Sequence, residues 1–441
     1  MPTEPLSPRA HDREMVRLAV PALGALAAEP LYLLADTAIV GHLGTLELGA
    51  LALAATALTS VVALCNFLTY GTTAQVARLH GAGQPERAAQ IAAQALWLAA
   101  GLGVLLAVAL VLLAHPLMLA LGGTGDAAGA AERYLRLSAP GLPFALIALA
   151  GQGYLRGVDR LRTPLVILIV ANLVNVVLEL VLVYGLDLGL DGSALGTVAA
   201  QAGMGAAFAI TLLRAGGPDV SRRPRPADIR ALLVLGGDLL VRTGALLLAF
   251  IAAGAVVART STAALAAHQI AFQLFVFLAL VLDAIAIAGQ IIVGRALGAG
   301  DASGATVAAR RMIGWSVVVG ALFAVVLLGL TGIVPRAFTS DDAVLDQARD
   351  LWPLFAVLQV SGAVVFALDG ILIGAGDTRF IARAMAFSAL ACFAPVALAS
   401  LVFDWGVVGV WVAINVLMLA RLGTMAWRFR GGAWAVVGAE R

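Results

Sequence analysis

The sequence predicts an all-α polytopic membrane protein, and three observations support this fold class. Hydrophobic residues make up 61% of the 441-residue chain and charged residues only 12%, whereas soluble domains carry about 25% charged residues. The mean hydropathy is +0.98. Apolar runs that reach the length of about 20 residues needed to cross a bilayer recur along the whole chain. We therefore expect an integral membrane protein.

The apolar runs predict twelve transmembrane helices. Their predicted ranges are 15–41, 49–72, 91–114, 133–155, 163–185, 192–214, 231–257, 265–290, 311–334, 350–373, 380–402 and 406–428. Arginine is concentrated in alternate connections, while the other connections are acidic or nearly neutral. By the positive-inside rule both termini are cytoplasmic. The first dozen residues lack the apolar core of a cleavable signal, so we expect a multi-pass protein of the cell's inner (plasma) membrane.

The chain contains an internal repeat. Val76–Gly83 (VARLHGAG) returns as Val293–Gly300 (VGRALGAG), and the offset from Val76 to Val293 also relates Gly153 to Gly370. Each repeat holds six spans, so both insert in one orientation and form two six-helix bundles related by a pseudo-two-fold axis along the membrane normal. The predicted divisions are an N-terminal lobe 1–214, a cytoplasmic linker 215–230, a C-terminal lobe 231–430 and a tail 431–441. We expect the Arg/Pro-rich linker to be mobile.

Several classes of function are excluded by composition. All 28 Lys/Arg positions are arginine, which rules out a lysine-dependent phosphate loop or Schiff base. The five histidines are scattered without zinc-type spacing, and no hydrolase motif is present. No basic stripe with interleaved aromatics indicates nucleic-acid binding. We expect no catalytic residue, no metal centre and no cofactor, and an ion gradient as the energy source.

The first helix carries an unusual polar stripe. Glu29, Tyr32 and Asp36 stand at i, i+3 and i+7 and therefore share one face. An acid near the middle of a span costs roughly 2.5–3.5 kcal/mol on insertion scales, so it is expected to face a polar interior. Pro21 and Pro30 each remove a helical hydrogen bond and are candidate bend points. Asp36 is either an ion-binding group or a structural contact to a neighbouring helix.

A second stripe follows in the fifth span, where Asn172, Asn175 and Glu179 repeat the same spacing. Thr197 and Gln201 of the sixth span could complete a polar chamber in the N-terminal lobe. Two carboxyl groups in a low-dielectric site repel each other when both are charged, which favours a shared proton. The sequence thus indicates an H⁺ or Na⁺ site. The alternative is a hydrogen-bonded cluster that only fixes helix packing.

The second half places its polar groups elsewhere. Gln273 and Asp283 lie on one stripe of the eighth span, Asp369 is in the tenth and Arg242 in the seventh. Arg242 could neutralise Asp283 or Asp369 in a structural pair, or these groups could serve transport. Asp369 lies near the end of its span and could instead extend to the interface.

Motifs spread over most of the chain carry a family resemblance. They are Pro21 followed by Asp36 and LADTAIVGHLG (34–44), GYLRGVDRLRTPL (153–165), the Asn175/Glu179 pair, LAAHQIAFQLF (265–275), LDAIAIAGQIIVGRALGAGD (282–301) and LDGILIGAGDTR (368–379). Together they resemble the multidrug and toxic compound extrusion (MATE) family, and within it the branch of DNA-damage-inducible protein F (DinF).

The resemblance implies two six-helix bundles in a V around a central cavity, and antiport of organic compounds, often cationic or amphipathic, against H⁺ or Na⁺. Asp36 would be the cation-binding acid, and Pro21 the point that bends on its protonation. Asn175, Glu179 and Thr197 would fall on polar positions of the fifth and sixth helices. Glu179 differs from the aspartate common in relatives.

These observations predict a secondary multidrug efflux antiporter, not an enzyme, that works by alternating access. It is expected to exchange small-molecule substrates for H⁺, or less favourably for Na⁺ at Asp36, and to function as a monomer in the lipid bilayer. The main alternative is a flippase for lipid-linked precursors, which would need several cationic side chains for phosphates. A membrane-embedded enzyme would need a catalytic constellation, and a channel fits a bent, acid-bearing helix less well than a gated exchanger does.

Overall fold

The computed structural model describes residues 8–217 and 220–439, and within these ranges every regular element is helical. Twelve helices are long and apolar enough to cross a membrane, which confirms the predicted number and order. They are α1 (Pro8–Gly41), α2 (Thr45–Gly81), α3 (Pro85–Ala120), α4 (Gly125–Gly157), α5 (Arg162–Gly185), α6 (Gly189–Arg214), α7 (Pro226–Val257), α8 (Thr262–Gly298), α9 (Ala302–Gly329), α10 (Asp342–Gly374), α11 (Thr378–Val402) and α12 (Gly406–Arg430).

The helix boundaries repeat with the offset found in the sequence. Both ends of α2 return at that offset as the ends of α8, and both ends of α4 return as the ends of α10. The remaining pairs agree closely, except that α9 ends earlier than α3 does. The internal repeat predicted from two short motifs therefore extends over six helices in each half.

The helices group into two compact units whose divisions fall inside α1 and α7. The N-terminal unit is Gly24–Gly236, and the C-terminal unit contains the chain up to Leu23 and from Gly237 onward. The start of each repeat's first helix thus belongs with the other repeat. The lobes predicted from the repeat, 1–214 and 231–430, keep each first helix whole, and that division stays a prediction, as do the linker and tail boundaries.

The starts of α1 and α7 are held by the same kind of contact. Arg311 of α9 donates from Nε and Nη2 to the two carboxylate oxygens of Asp12, at 2.9 and 2.7 Å, and the Trp315 indole donates to the same carboxylate at 2.9 Å. Arg87 of α3 binds Asp228 through two hydrogen bonds of 2.8 and 2.7 Å. Because α3 and α9 are repeat-related, both pairs join equivalent helices. Two-point arginine–carboxylate pairs fix geometry as well as adding energy.

Small residues allow two further repeat-related helix pairs to pack closely. A Cβ atom on Gly153 would lie 2.7 Å from the backbone oxygen of Thr69, and one on Gly370 would lie closer still to the backbone oxygen of Ala286. The glycines and their partners are again related by the repeat offset. Membrane helices lack a hydrophobic force between them and rely on such close van der Waals packing. The glycines that carried the repeat motif therefore have a structural role.

We predict that Gly370→Ala lowers the free energy of unfolding by about 1–3 kcal/mol, the usual cost of overpacking. The added methyl group would meet backbone, which cannot move aside as a flexible side chain can. Gly362→Ala is the matched control, because it lies in the same helix and its Cβ would meet no atom within 4 Å. Thermal unfolding in detergent measures both. Equal midpoints for the two variants would contradict the assigned packing role.

Candidate ion-coupling site

Polar side chains from four helices meet inside the N-terminal unit. They are Tyr32 and Asp36 of α1, Tyr134 of α4, Asn175 and Glu179 of α5, and Ser193 and Thr197 of α6. Only 3% of Asp36 and none of Glu179 is exposed. The four residues predicted to form the cation-coupling site, Asp36, Asn175, Glu179 and Thr197, are therefore brought together, although their role in coupling stays a prediction.

The helices present these groups in pairs. Asn175 and Glu179 are four residues apart in α5, and Ser193 and Thr197 are four apart in α6. Residues at i and i+4 lie one above the other on the same helix face. Each helix therefore contributes two polar groups at successive turns, and the two faces meet Asp36 of α1.

Close approach of α5 and α6 brings the polar faces into contact. A Cβ on Gly196 would lie 3.2 Å from Cγ of Glu179, and one on Gly192 would lie 2.8 Å from the backbone carbon of Leu182. The α-helical part of α5 ends at Glu179 and continues as a π-helical segment, Leu180–Gly185. Such π segments are frequent at functional sites. Here the segment begins directly after the carboxylate-bearing residue.

Glu179 receives hydrogen bonds from its own helix and from α6. The Thr197 hydroxyl donates to Glu179 Oε1 at 3.3 Å. With its amide nitrogen turned toward the carboxylate, Asn175 donates to the same oxygen at 2.6 Å and accepts from the Thr197 backbone N–H at 3.3 Å. The Tyr32 hydroxyl lies 3.0 Å from Thr197 Oγ1. Because Thr197 uses its proton on Glu179, Tyr32 is the donor, and a hydroxyl chain runs from α1 to Glu179.

Asp36 is held from the other side of the cluster. The Ser193 hydroxyl donates to Asp36 Oδ1 at 2.9 Å, and Ser193 is completely buried. The Tyr134 side chain lies next to Ser193. The Asp36 carboxyl group itself lies within hydrogen-bonding reach of Glu179.

The contact between the two carboxyl groups has a chemical consequence. Ionised carboxylates only accept hydrogen bonds, so a hydrogen bond between Asp36 and Glu179 requires a proton on one of them. Burial away from water and mutual repulsion both act against a doubly charged pair. The arrangement can therefore hold one proton, which either residue can carry.

Sequence reasoning missed two members of the cluster, Ser193 and Tyr134. Ser193 could have been found, because it stands four residues before Thr197 on the same helix face. Tyr134 could not. It lies in the amphipathic first part of α4, and only the packing of α4 against α6 brings its hydroxyl to Ser193.

The other predicted positions of this half lie around the cluster or away from it. Asn172 donates to the backbone oxygen of Ala28 at 3.0 Å, a contact between α5 and α1. Gln201 is half-buried, and its Oε1 occupies the space that a Cβ on Gly141 would need. Glu29 is exposed. None of these three residues is among the hydrogen-bond partners described for Asp36 and Glu179.

The candidate bend points lie within one helix, because α1 continues without interruption through Pro21 and Pro30. The division between the two units falls between Leu23 and Gly24, two residues after Pro21. A bend at Pro21 would therefore occur where α1 passes from one unit to the other. Its use as a hinge stays a prediction.

The C-terminal unit contains a different buried charge cluster. Arg242 and Arg421 each donate to Asp369 Oδ2 at 2.5 Å. Asp283 and Asp369 are the two predicted partners of Arg242, and the pairing with Asp369 is confirmed. The alternative that Asp369 extends to the interface is wrong, because only 2% of it is exposed. Arg421 was missed, since nothing in the spacing of α12 relates it to α10. Asp283 is half-buried and Gln273 is exposed.

The repeat shows that the two clusters do not correspond. Each polar position of the N-terminal cluster has an apolar counterpart at the repeat offset, as in Asp36 and Ala253, Glu179 and Val396. The remaining counterparts are Leu351 for Tyr134, Cys392 for Asn175, Val410 for Ser193, Ile414 for Thr197 and Ala249 for Tyr32. The same helical framework thus carries two neighbouring buried carboxyl groups in one repeat and a salt-bridged acid in the other.

The described residues contain no group of three or more His, Cys, Asp or Glu side chains arranged to hold a metal ion. The polar groups are instead buried carboxylates, amides and hydroxyls inside bundles of membrane-spanning helices. Intramembrane ionisable residues of this kind mark ion and substrate pathways. The fold and the cluster together define a polytopic membrane transporter.

Comparison with known proteins identifies the family. The sequence model of the MatE family matches residues 21–181 and 243–398. DNA damage-inducible protein F of Escherichia coli (strain K12) is 33% identical over 96% of this chain and 94% of its own. The probable multidrug resistance protein NorM of Bradyrhizobium diazoefficiens is 32% identical over 96% of this chain and 94% of its own. The chain belongs to the MatE family, so the resemblance to MATE transporters and their DinF branch is confirmed, and it is a transporter rather than an enzyme.

Solved structures agree with the fold. A MATE crystal structure in the bent conformation has a TM-score of 0.89 and 21% sequence identity, covering 96% of both chains. At that identity the likeness supports the all-helical fold alone. The assignment of roles to Asp36 and its neighbours rests on the geometry of this chain.

We predict that Asp369→Ala lowers the free energy of unfolding by about 3–5 kcal/mol, because it leaves buried arginine charges without their carboxylate. Asp346→Ala is the matched control. Asp346 lies in the same helix as Asp369 and also pairs with an arginine, Arg349, but both of these side chains are more than half exposed. Such an exposed pair contributes about 0–1 kcal/mol. Chemical or thermal unfolding in detergent measures the difference, and similar losses for the two variants would refute the structural role of Asp369.

Proposed function

We propose that this protein is a secondary active multidrug efflux antiporter that exports organic compounds, often cationic or amphipathic, in exchange for H⁺. The observation that carries the proposal is the buried contact between the Asp36 and Glu179 carboxyl groups. The names of the relatives, multidrug resistance protein among them, support the substrate class. As a MATE transporter it acts on small molecules from within the bilayer, and it requires no cofactor beyond the coupling ion.

The donor set favours H⁺ over Na⁺ as that ion. A bound Na⁺ needs several acceptor oxygens turned toward it, as supplied by unwound backbone carbonyls in other transporters. In this cluster Ser193, Thr197 and Asn175 instead direct hydrogen-bond donors at the carboxylates. A proton shared between the two acids is compatible with those donors. A metal ion would instead require the two hydroxyls and the amide to turn their oxygens toward it.

In the proposed cycle, the Asp36/Glu179 pair starts with one proton and one negative charge. A proton arriving from outside neutralises that remaining charge. The protonated Asp36 no longer needs the Ser193 hydroxyl as a donor, so the hold of α5 and α6 on α1 weakens. We propose that α1 then bends at Pro21, with Pro30 as a second weak point, and that the drug is released outward. Loss of the proton to the cytoplasm restores the charged cluster and the straight arrangement.

One proton per cycle is energetically sufficient. Moving one charge through 100 mV releases about 2.3 kcal/mol, and a tenfold concentration ratio costs about 1.4 kcal/mol. For an uncharged substrate, a single proton therefore sustains a gradient of about forty-fold before any pH difference is added. Exchange of one proton for a monovalent cation moves no net charge, so the pH difference alone drives it. We propose that transport occurs in the plasma membrane, with both termini cytoplasmic and the protein working as a monomer.

The alternative, a lipid-linked precursor flippase, would use cationic side chains to bind phosphate. The candidates Arg242 and Arg421 are both hydrogen-bonded to Asp369. That pairing favours a structural role for the arginines, and it leaves the antiporter as the better supported function.

We predict that Asp36→Asn reduces drug uptake into everted vesicles at least tenfold when the vesicle lumen is made more acidic than the outside medium. The amide keeps the size of the side chain and a hydrogen-bonding oxygen, but it cannot release a proton. Asp404→Asn is the control, because Asp404 is exposed and its positive φ of 52° suits asparagine equally well.

The same vesicles distinguish the remaining possibilities. A Na⁺ gradient without a pH gradient should drive no uptake by the wild type. Uphill transport that Asp36→Asn leaves intact would refute proton coupling at this site. Movement of a lipid-linked sugar that is indifferent to Asp36 would support the flippase.

A further inference from the structure

The linker between the two repeats is the most basic segment of the chain. Residues 214–230 contain five arginines, Arg214, Arg222, Arg223, Arg225 and Arg230, and two acids in the sequence. One acid, Asp228, is bound by Arg87, and the other, Asp219, lies outside the described residues. Because α6 ends at Arg214 and α7 begins at Pro226, the linker lies at the level where helices leave the membrane.

The described part of the linker is hydrogen-bonded to α3, and its mobility stays a prediction. The side-chain amide of Gln94 makes two hydrogen bonds to linker backbone, donating to the Arg223 oxygen at 3.0 Å and accepting from the Arg225 N–H at 2.7 Å. Gln94 is completely buried. The Trp97 indole donates to the Arg222 oxygen at 2.9 Å. Both groups bind backbone, which fixes the path of the chain and leaves arginine side chains available.

The five arginines then divide into two groups. Arg222 folds back onto the backbone oxygens of Gly217 and Val220, at 2.7 and 3.2 Å, and Arg225 donates to Gln90 at 3.1 Å. The other three, Arg214, Arg223 and Arg230, are exposed, and no hydrogen bond or ion pair is described for their side chains. Arg222 and Arg225 make contacts within and beside the linker, although Arg225 is also exposed, and the other three arginines lie at the surface.

A lipid-facing strip continues from this basic surface along α3. Trp97 is 50% exposed although its N–H is used, and Val104, Leu105 and Val108 further along the helix are exposed by more than half. The spacing puts them on one side of α3. Tryptophan is enriched at membrane interfaces, where its ring lies at head-group level. The stretch of linker that carries Arg223 therefore adjoins an interfacial indole and an apolar helix face.

We propose that the linker surface formed by Arg214, Arg223 and Arg230 is a docking site for anionic phospholipid head groups, with acyl chains lying along the exposed face of α3. Guanidinium groups bind phosphate through paired hydrogen bonds. The five arginines of residues 214–230 also fall within the range of four to eight basic residues beside a membrane helix that attract anionic lipids. The positive-inside rule alone would account for arginines in a cytoplasmic connection. It would not account for the fully buried Gln94, which fixes the backbone that carries them.

The test uses the full-length protein in nanodiscs that contain a photoactivatable phosphatidylglycerol or, for comparison, a photoactivatable phosphatidylcholine. Crosslinked residues are mapped by mass spectrometry at low ionic strength. The test variant is Arg214→Gln/Arg223→Gln/Arg230→Gln. The control variant is Arg310→Gln/Arg379→Gln/Arg383→Gln, which removes three exposed arginines from the second half. Thermal unfolding confirms that both variants are folded.

We expect the anionic probe to crosslink to the linker and α3 much more than the neutral probe does. Each arginine near the surface contributes about 1 kcal/mol, or about fivefold, so the test variant should lose labelling by roughly two orders of magnitude at most, while the control variant keeps it. Added salt should weaken the labelling.

Equal labelling by the two probes, or equal loss in both variants, would overturn the proposal. Displacement of the anionic probe by millimolar inorganic phosphate would assign the arginines to a soluble phosphate ligand and would overturn it too. Because the readout is lipid contact and not transport, the result is independent of whether the protein exchanges drugs for protons.

Discussion

A buried charge in a membrane protein has to be neutralised, and this constraint shapes both polar clusters. An isolated ion in a medium of low dielectric constant is so costly that it either pairs with an opposite charge or changes its protonation state. The C-terminal unit uses the first solution, with Asp369 between Arg242 and Arg421. The N-terminal unit places Asp36 against Glu179 with hydroxyl and amide donors but no cation among the contacts described for them, so only a proton or a bound ion can supply the compensation.

Under the proposed function, that difference separates a permanently neutralised structural cluster from a cluster whose charge can switch. An arginine keeps its charge at any physiological pH, so the Asp369 cluster is neutralised in the same way whatever the state of the surroundings. A carboxyl pair that holds one proton depends on access to a proton source. The hydrogen bonds around it join α1, α5 and α6, so any change in its charge acts on three helices at once.

The repeat explains how one framework can hold both solutions. Backbone contacts such as Gly153 with Thr69 and Gly370 with Ala286 are preserved at the same offset, because helix packing in a membrane depends on close backbone approach. Polar side chains are not preserved: Asp36 corresponds to Ala253 and Arg421 to Met204. Packing positions maintain the common fold, and the remaining positions have diverged to give each half its own chemistry.

The sequence by itself determined the fold class, the twelve spans, the repeat and the pairing of α5 groups at Asn175 and Glu179, because these depend on hydrophobic length and helical periodicity. It also supplied Asp36 and Thr197, since a polar residue inside an apolar run is conspicuous. Tertiary structure alone decided that Tyr134 lies next to Ser193, that Arg421 reaches Asp369, and that Gln94 holds the linker. These contacts join residues that are far apart in the chain, and their register depends on how helices pack, which no local pattern encodes.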